Sequence, residues 1–304
     1  MSTIRHIARA QMDVQAWDQA IEQAPFSLPY AFSWVLDLLC AEWDGLVKGD
    51  YEAVMPLPFN RKLLGFKQIY QPFYLQQLGI FSRTPLSHSD LVPFLEAIPN
   101  DFRKIQYPFN EGNAIPHLPT RHNMVLDLQR PYEEIYQGYN RSAKRNLRKW
   151  KAAHRFALNE LTVAAVFELY TKQLGAKLSI PQSSLEAWQA VMEQAIAKEK
   201  GIVASVHHQS ELGAAGFFWT HGGRIINPFG ASTDAGRGYQ SMRVLLDALI
   251  EQNAEQAIAF DFEGSSIPSI AEFFQSFGPE KKPYPLLQKS AFPYSWLDRW
   301  RASK

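Results

Sequence analysis

The sequence predicts a mixed α/β protein made of two tandem halves, on three observations. In the C-terminal half an apolar run, Ile225 to Phe229, is followed by a glycine-containing turn, a helical pattern and a second apolar run, Ile258 to Phe262. Met242, Leu245, Leu246, Leu249 and Ile250 recur at spacings of three and four, which marks the helix. Two apolar runs joined by a helical crossover read as parallel neighbours in one sheet. The order of helices, hairpin and strands in residues 1–138 recurs in residues 139–304, so an internal structural duplication is expected with its boundary at 138/139.

The elements follow in order. Val14 to Gln23 predicts a helix with Val14, Trp17 and Ile21 on one face, and Phe32 to Leu39 a second. Gly45 to Lys48 and Tyr51 to Leu57 read as a hairpin around Gly49-Asp50. Pro56 and Pro58 are expected to end its pairing and leave Arg61 and Lys62 in a loop. Phe66 to Tyr70 predicts a strand, Gln77 to Phe81 an extension of the sheet, Leu91 to Ala97 a helix, and Phe102 to Tyr107 and Met124 to Leu128 strands. The second half offers helices at Val163 to Leu174 and Leu185 to Ala197, and a hairpin of Ile202 to Val206 with Ala214 to Trp219. After the central stretch, a helix from Pro268 to Phe277 closes on Gly278, which suits a left-handed cap, and Tyr284 to Gln288 supplies a last strand.

Between the halves, Tyr139 to Phe156 reads as a basic amphipathic helix. Arg141, Arg145 and Lys149 lie at spacings of four, Lys144, Arg148 and Lys151 line the adjacent ridge, and Ala143, Leu147, Trp150 and His154 form the apolar stripe. The plain alternative is a solvated helix docked by its stripe. So many cations with no acidic residue at helical spacing repel one another, which points to an anionic partner.

Composition sets the limits. The chain has 304 residues, 46% hydrophobic and 20% charged, enough for two packed cores. A net charge of +1 excludes a globally basic nucleic-acid binder and leaves only local patches. Cys40 is the single cysteine, so no internal disulfide can form; a reducing, cytoplasmic setting is expected, with Cys40 in the core. No run reaches the length of a membrane span. His207-His208 reads as a surface pair beside a turn, without metal-ligand spacing.

The strand, the Gly236-Arg237-Gly238 turn and the following helix resemble the acyl-CoA-binding core of the GNAT acyltransferases. The segment FDFEGSSIPSIAEFFQSFG, from Phe260 to Gly278, resembles the C-terminal signature of their FemAB-like branch, which carries two GNAT-like halves in one chain. The resemblance implies a degenerate N-terminal GNAT-like domain over residues 1–138 and an acyltransferase domain over 139–304. It implies transfer of an acyl group to an amine of a small or peptide-like acceptor. The donor is an acyl thioester, with acyl-CoA as co-substrate and no tightly bound cofactor, or a charged tRNA. A binding module that keeps the fold without the chemistry is the third reading. Thr233 stands where the GNAT pattern has Gln or Arg, and Phe274 where aminoacyl-transferring relatives have lysine.

Candidate site residues follow. Gly236, Gly238 and Tyr239 N–H groups with Arg237 would hold donor phosphate at a helix start. Asn227-Pro228 interrupts a strand, and the resemblance implies that the sheet opens there around the acyl carrier. On the second apolar run, Asp261 and Glu263 share one face near the strand's C-terminal end, where ligands of open α/β sheets bind. Glu263 is the candidate base, Asp261 its support, and Tyr284 the candidate proton donor; structural roles for all three are the alternative. Phe273 and Phe277 read as core. Lys144, Arg145 and Arg148, with Arg61 and Lys62, are candidates for an anionic substrate, after an Arg-rich element that the FemAB-like branch carries.

Overall fold

The computed structural model describes residues 3–63, 65–174, 180–264, 267–296 and 298; Ser265 and Ser266 of the signature segment lie outside these. The chain divides into two compact units, Met1–Arg121 with Pro283–Lys304, and His122–Lys282. The expected boundary at 138/139 falls inside the second unit. The reason is a strand ahead of it, Thr120–Asp127, that pairs with Ala259–Asp261, more than a hundred residues later.

In the first unit, β1 (Ile4–Ala8), α1 (Val14–Glu22) and α2 (Ser33–Leu39) precede the hairpin of β2 (Glu42–Lys48) and β3 (Ala53–Lys62). Then come β4 (Phe66–Ile69), a two-residue β5 (Phe81–Ser82), α3 (His88–Glu96) and β6 (Phe102–Pro108). The Asp13 carboxylate caps α1 by accepting from the N–H groups of Gln15 and Ala16, and Trp17 and Ile21 are buried as their spacing predicts. Cys40 is partly buried, and burial pushes its thiol pKa up.

Pro56 and Pro58 do not end the pairing of β3. They stand opposite Gly45 and Trp43 of β2, and Arg61 and Lys62 lie in the strand, paired with β4. Two prolines two residues apart lack their N–H on the same edge. On that edge β3 pairs with β5 at Ala53 and Val54 and with β4 only from Phe59, so the missing donors fall in the gap.

The second unit runs β7 (Thr120–Asp127), α4 (Tyr132–Gln137), α5 (Arg141–Trp150), β8 (His154–Leu158), α6 (Val163–Leu174) and α7 (Gln182–Ala197). It continues with β9 (Gly201–His208), β10 (Glu211–His221), β11 (Arg224–Ser232), α8 (Asp234–Gly238), α9 (Ser241–Gln252), β12 (Ala259–Asp261) and α10 (Pro268–Gln275). The last strand, β13 (Glu280–Ser290), pairs antiparallel with β6 of the first unit from Leu286 to Ser290. The basic helix is shorter than its pattern: it stops at Trp150, and His154 to Leu158 is a strand paired with β9.

The two strand orders match. The first unit reads β1-β2-β3-β4-β6-β13, antiparallel except for β4 with β6. The second reads β8-β9-β10-β11-β12-β7, antiparallel except for β11 with β12. In each unit the parallel pair encloses the helical crossover, α3 or α9. Leu126, Leu147, Phe218, Leu245, Leu249 and Phe260 are among the core residues of the second unit and back its sheet.

Candidate functional site

The site is where β11 leaves β12. Their parallel pairing covers only Arg224 to Ile226 against Ala259 to Asp261. On its other side β11 has a bulge: Phe217 faces Phe229 and Trp219 faces Ile226, so one residue, Phe218, stands against Asn227 and Pro228 together. A proline without a ladder donor fits that bulge. β11 has neighbours on both sides only over Arg224 to Ile226; from Asn227 onward its side away from β10 has no β12 partner, where a proline costs no ladder bond.

Beyond the bulge lies a cavity of about 360 Å³. Asn227 to Ser232 form one wall and Phe262 to Gly264 with Ile270, Phe273 and Phe274 the other; Tyr170, Gln173, Arg237 and Met242 complete it. The lining is mostly apolar, with a few polar groups, as in small-molecule sites generally. Phe229 is buried against Tyr170, ring centroids 3.7 Å apart. Phe277 is core as expected, whereas Phe273 faces the cavity.

Glu263 sits on a constrained turn. Its φ is +60°, unusual for a residue with a side chain, and Gly264 follows at +63°. Asp261 holds this turn. Its buried carboxylate accepts from the Glu263 N–H at 2.8 Å, from Arg224 Nη1 at 2.8 Å and from Asn123 Nδ2 at 2.9 Å. The Phe262 N–H donates to the Met124 carbonyl at 2.9 Å, which ties the segment to β7. A Cβ on Gly264 would lie 2.8 Å from the His122 carbonyl oxygen, so only glycine fits there. Asp261 is thus a support of the turn. Burial pushes the Glu263 carboxyl up to about 8.

The glycine turn is organised differently from the expected phosphate cradle. Residues 234–238 form α8, and Thr233 is its N-cap: Thr233 Oγ1 accepts from the Gly236 N–H at 3.0 Å. The Arg237 N–H donates to the Thr233 carbonyl and the Tyr239 N–H to that of Ala235. These donors are consumed within the chain and do not face a ligand. Gly236 serves close packing, since a Cβ there would lie 1.9 Å from the Gly213 carbonyl oxygen. Nothing stands within 4 Å of a Cβ on Gly238. Thr233, which departs from the GNAT pattern, is therefore a capping residue. Arg237 reaches the cavity wall, with Asp234 as its ion-pair partner.

The longer helix, α9, begins after two intervening residues, Tyr239 and Gln240. Gln240 precedes it at φ +56° without a side-chain cap, and Met242 of its first turn lines the cavity. Tyr239 belongs to an aromatic cluster: its ring stacks on His208 at 4.2 Å and meets Trp150 at 5.2 Å. His208 is therefore packed, contrary to its reading as a surface residue. Beside it, His154 Nε2 lies 2.9 Å from Ser241 Oγ and Nδ1 lies 2.8 Å from the Trp150 carbonyl, and burial lowers its pKa.

The basic residues divide. Lys151 pairs with Asp247 at 2.6 Å and Glu251 at 2.8 Å on α9, so tertiary structure supplies acids that helical spacing did not. Lys144 Nζ donates to the Gln137 carbonyl. Arg141, Arg145, Arg148 and Lys149 are exposed and have no carboxylate partner among the described residues. In the first unit Arg61 pairs with Glu42 at 3.1 Å, Lys62 is exposed, and Tyr284 is buried on β13. Of the sequence candidates, the cavity brings together Asn227, Arg237 and Glu263. Sequence reading missed Tyr170, Gln173, Met242 and Ile270 as lining and Arg224 and Asn123 as supports. The helical pattern marks the apolar ones only as core candidates, and the others depend on contacts distant in sequence.

Residues 137–268 match the family model described as an acetyltransferase (GNAT) domain. The chain is similar in fold to the crystal structure of FemX, with a TM-score of 0.63 at 10% identity over 92% of this chain and 96% of that one. It is also similar to a conserved protein of unknown function from Bacteroides thetaiotaomicron, with a TM-score of 0.56 at 9% identity over 95% and 100% of the two chains. A third similar structure is the C-terminal domain of a putative lysylphosphatidylglycerol synthetase from Agrobacterium fabrum, with a TM-score of 0.54 at 12% identity over 92% of each chain. No curated protein sequence matches the chain. Among the described residues no helix is long and apolar enough to cross a membrane.

Proposed function

We propose that the chain is a GNAT-superfamily acyltransferase that moves an acyl group from a thioester to the amine of a small or peptide-like acceptor; the match of residues 137–268 to an acetyltransferase (GNAT) domain and the FemX-like fold support this reading. The observation that carries this reading is Glu263 on a constrained turn at the wall of the cavity where the sheet opens, its carboxyl pushed up to about 8 by burial.

The roles follow from the geometry. From Asn227 onward the β11 edge facing away from β10 has no β12 partner, so its backbone groups can bond the amides of a thioester's carrier arm. N–H groups of that edge would also bond the carbonyl oxygen as it gains charge. The acceptor amine attacks the thioester carbonyl carbon. A C–N bond forms, the C–S bond breaks with its electron pair on sulfur, and the ionised Glu263 carboxylate takes the amine's proton. A carboxyl of pKa about 8 is a stronger base than an ordinary glutamate and still ionises near neutral pH. The departing thiolate has an ordinary thiol pKa of about 8.5, so it leaves without a dedicated acid. Tyr284 takes no step in this reading.

An aminoacyl-tRNA donor is the second reading, favoured by the exposed cations of α5 that lack carboxylate partners among the described residues. The test is mass-spectrometric detection of amide product from a panel of amines with octanoyl-CoA, octanoyl-pantetheine or charged tRNA, using wild type and Glu263→Gln. Amide formed from a thioester and lost in the variant supports the proposal. Amide formed only from tRNA moves it to the second reading, and amide from no donor leaves a binding module.

A further inference from the structure

Resting on the thioester reading above, we propose that the donor arrives on the phosphopantetheine arm of a small acidic carrier protein that docks along α5. Three observations lead to it.

The first is what the site offers to phosphate. Coenzyme A brings a pyrophosphate and a further phosphate on its ribose. The Gly236 and Tyr239 N–H groups are already bonded within the chain, and the charge of Arg237 is matched by Asp234. In the first turn of α9, Ser241 and Arg243 are buried and only Met242 lines the cavity, so the described residues offer no paired donors for a pyrophosphate. A carrier protein's arm joins its protein through a single phosphodiester.

The second is the outer face of α5. Ala143 and Leu147 are buried, while Arg141, Arg145, Arg148 and Lys149 stand exposed without carboxylate partners among the described residues. Unmatched like charges at these spacings destabilise a helix, and an anionic partner would relieve that repulsion. From Arg141 to Lys149 the rise is about 12 Å, the footprint of one packed helix. Nucleic-acid binding commonly engages about 6–10 phosphates, more than a four-cation face supplies. An acidic helix fits this face better than RNA.

The third is continuity. Lys149 Nζ lies 4.6 Å from the Trp150 ring centroid, Trp150 meets Tyr239, and Tyr239 caps α8, whose Arg237 lines the cavity. A protein seated on α5 therefore lies next to the helix that borders the cavity, within reach of a flexible arm.

The experiment measures binding of four probes: an acidic acyl carrier protein bearing an octanoyl-phosphopantetheine arm, octanoyl-CoA, octanoyl-pantetheine and a charged tRNA. The expected result is that the carrier-bound form binds at least tenfold tighter than octanoyl-CoA. The double variant Arg145→Glu/Arg148→Glu should lower the preference for carrier over octanoyl-pantetheine at least tenfold. Raising salt from about 50 to 300 mM should weaken carrier binding and spare octanoyl-pantetheine, since exposed charges are screened. Both substitutions are on the exposed face, and an unchanged Tm verifies folding. Octanoyl-CoA binding as tightly as the carrier form, or an unmoved preference in the double variant, overturns the docking proposal. So does tRNA binding that depends on α5 without carrier binding. Failure of every thioester probe to bind overturns the thioester reading itself.

Discussion

The two units share one strand order, with one parallel pair each, and differ in what lies beside that pair. In the first, β4 and β6 pair from Lys67 to Ile69 against Phe102 to Ile105. Past that point the chain fills its own gap. The Leu78 N–H donates to the Pro108 carbonyl, Gly79 exchanges hydrogen bonds with the Tyr107 hydroxyl, and Leu75, Leu78 and Ile80 are buried. In the second, β11 and β12 separate after Ile226 and the gap is the cavity that Glu263 lines. The same topology thus gives a packed core where a loop returns into it and a ligand site where none does.

The largest test of this contrast is chemical. Replacing Glu263 by Gln should lower kcat/KM by about 10²–10⁴-fold, the usual contribution of a general base. In wild type the rate should rise with pH up to about 8, as the carboxyl ionises, and this limb should vanish in the variant. The stability has the opposite sign. The folded carboxyl holds its proton more tightly than the unfolded one, so stability falls as pH rises from the ordinary glutamate range to about 8. Thermal melts of Glu263→Gln should lack that fall. A variant with wild-type turnover removes Glu263 from the mechanism.

Leu78→Ala should cost about 2–5 kcal/mol, because it empties a packed gap. Ile270→Ala, on the cavity side, removes a residue that is already 39% exposed; it should cost less than about 1 kcal/mol in stability and raise KM for the donor. Denaturant titration of both separates a core from a site. Equal costs would dissolve the comparison.

Smaller effects sharpen the reading of α8. Gly236→Ala should destabilise by about 1–3 kcal/mol through the clash with Gly213. Gly238→Ala, with open space around it, should be neutral or stabilise by up to about 1 kcal/mol through helix propensity. Donor binding lost with Gly238→Ala at full stability would restore the phosphate cradle. Thr233→Val should lose the cap of α8 at about 1 kcal/mol.

Most helices and strands and the parallel crossover around α9 are legible in the sequence alone, although β1 is not and the helical pattern runs on into β8, from His154 to Phe156. Leucine spacing and β-rich apolar runs are local signals on which hydrogen-bonding rules act directly; at Pro228 the sequence marks only an interruption of the strand, and the opening there is implied by the family resemblance. The sequence also determined Glu263 as a candidate, because strand alternation and position at a strand's end are local too. Tertiary structure decided the rest. Pro56 and Pro58 stay in β3 because the gap on their edge is set by which strands arrive there. Gly236 is a packing contact because Gly213 approaches it from β10. Lys151 is neutralised, unlike Arg145, because α9 brings Asp247 to it. The pKa of Glu263 depends on burial, which no spacing along the chain encodes. Each of these is a meeting of segments distant in sequence, and the energies of such meetings are fixed only when the chain has packed.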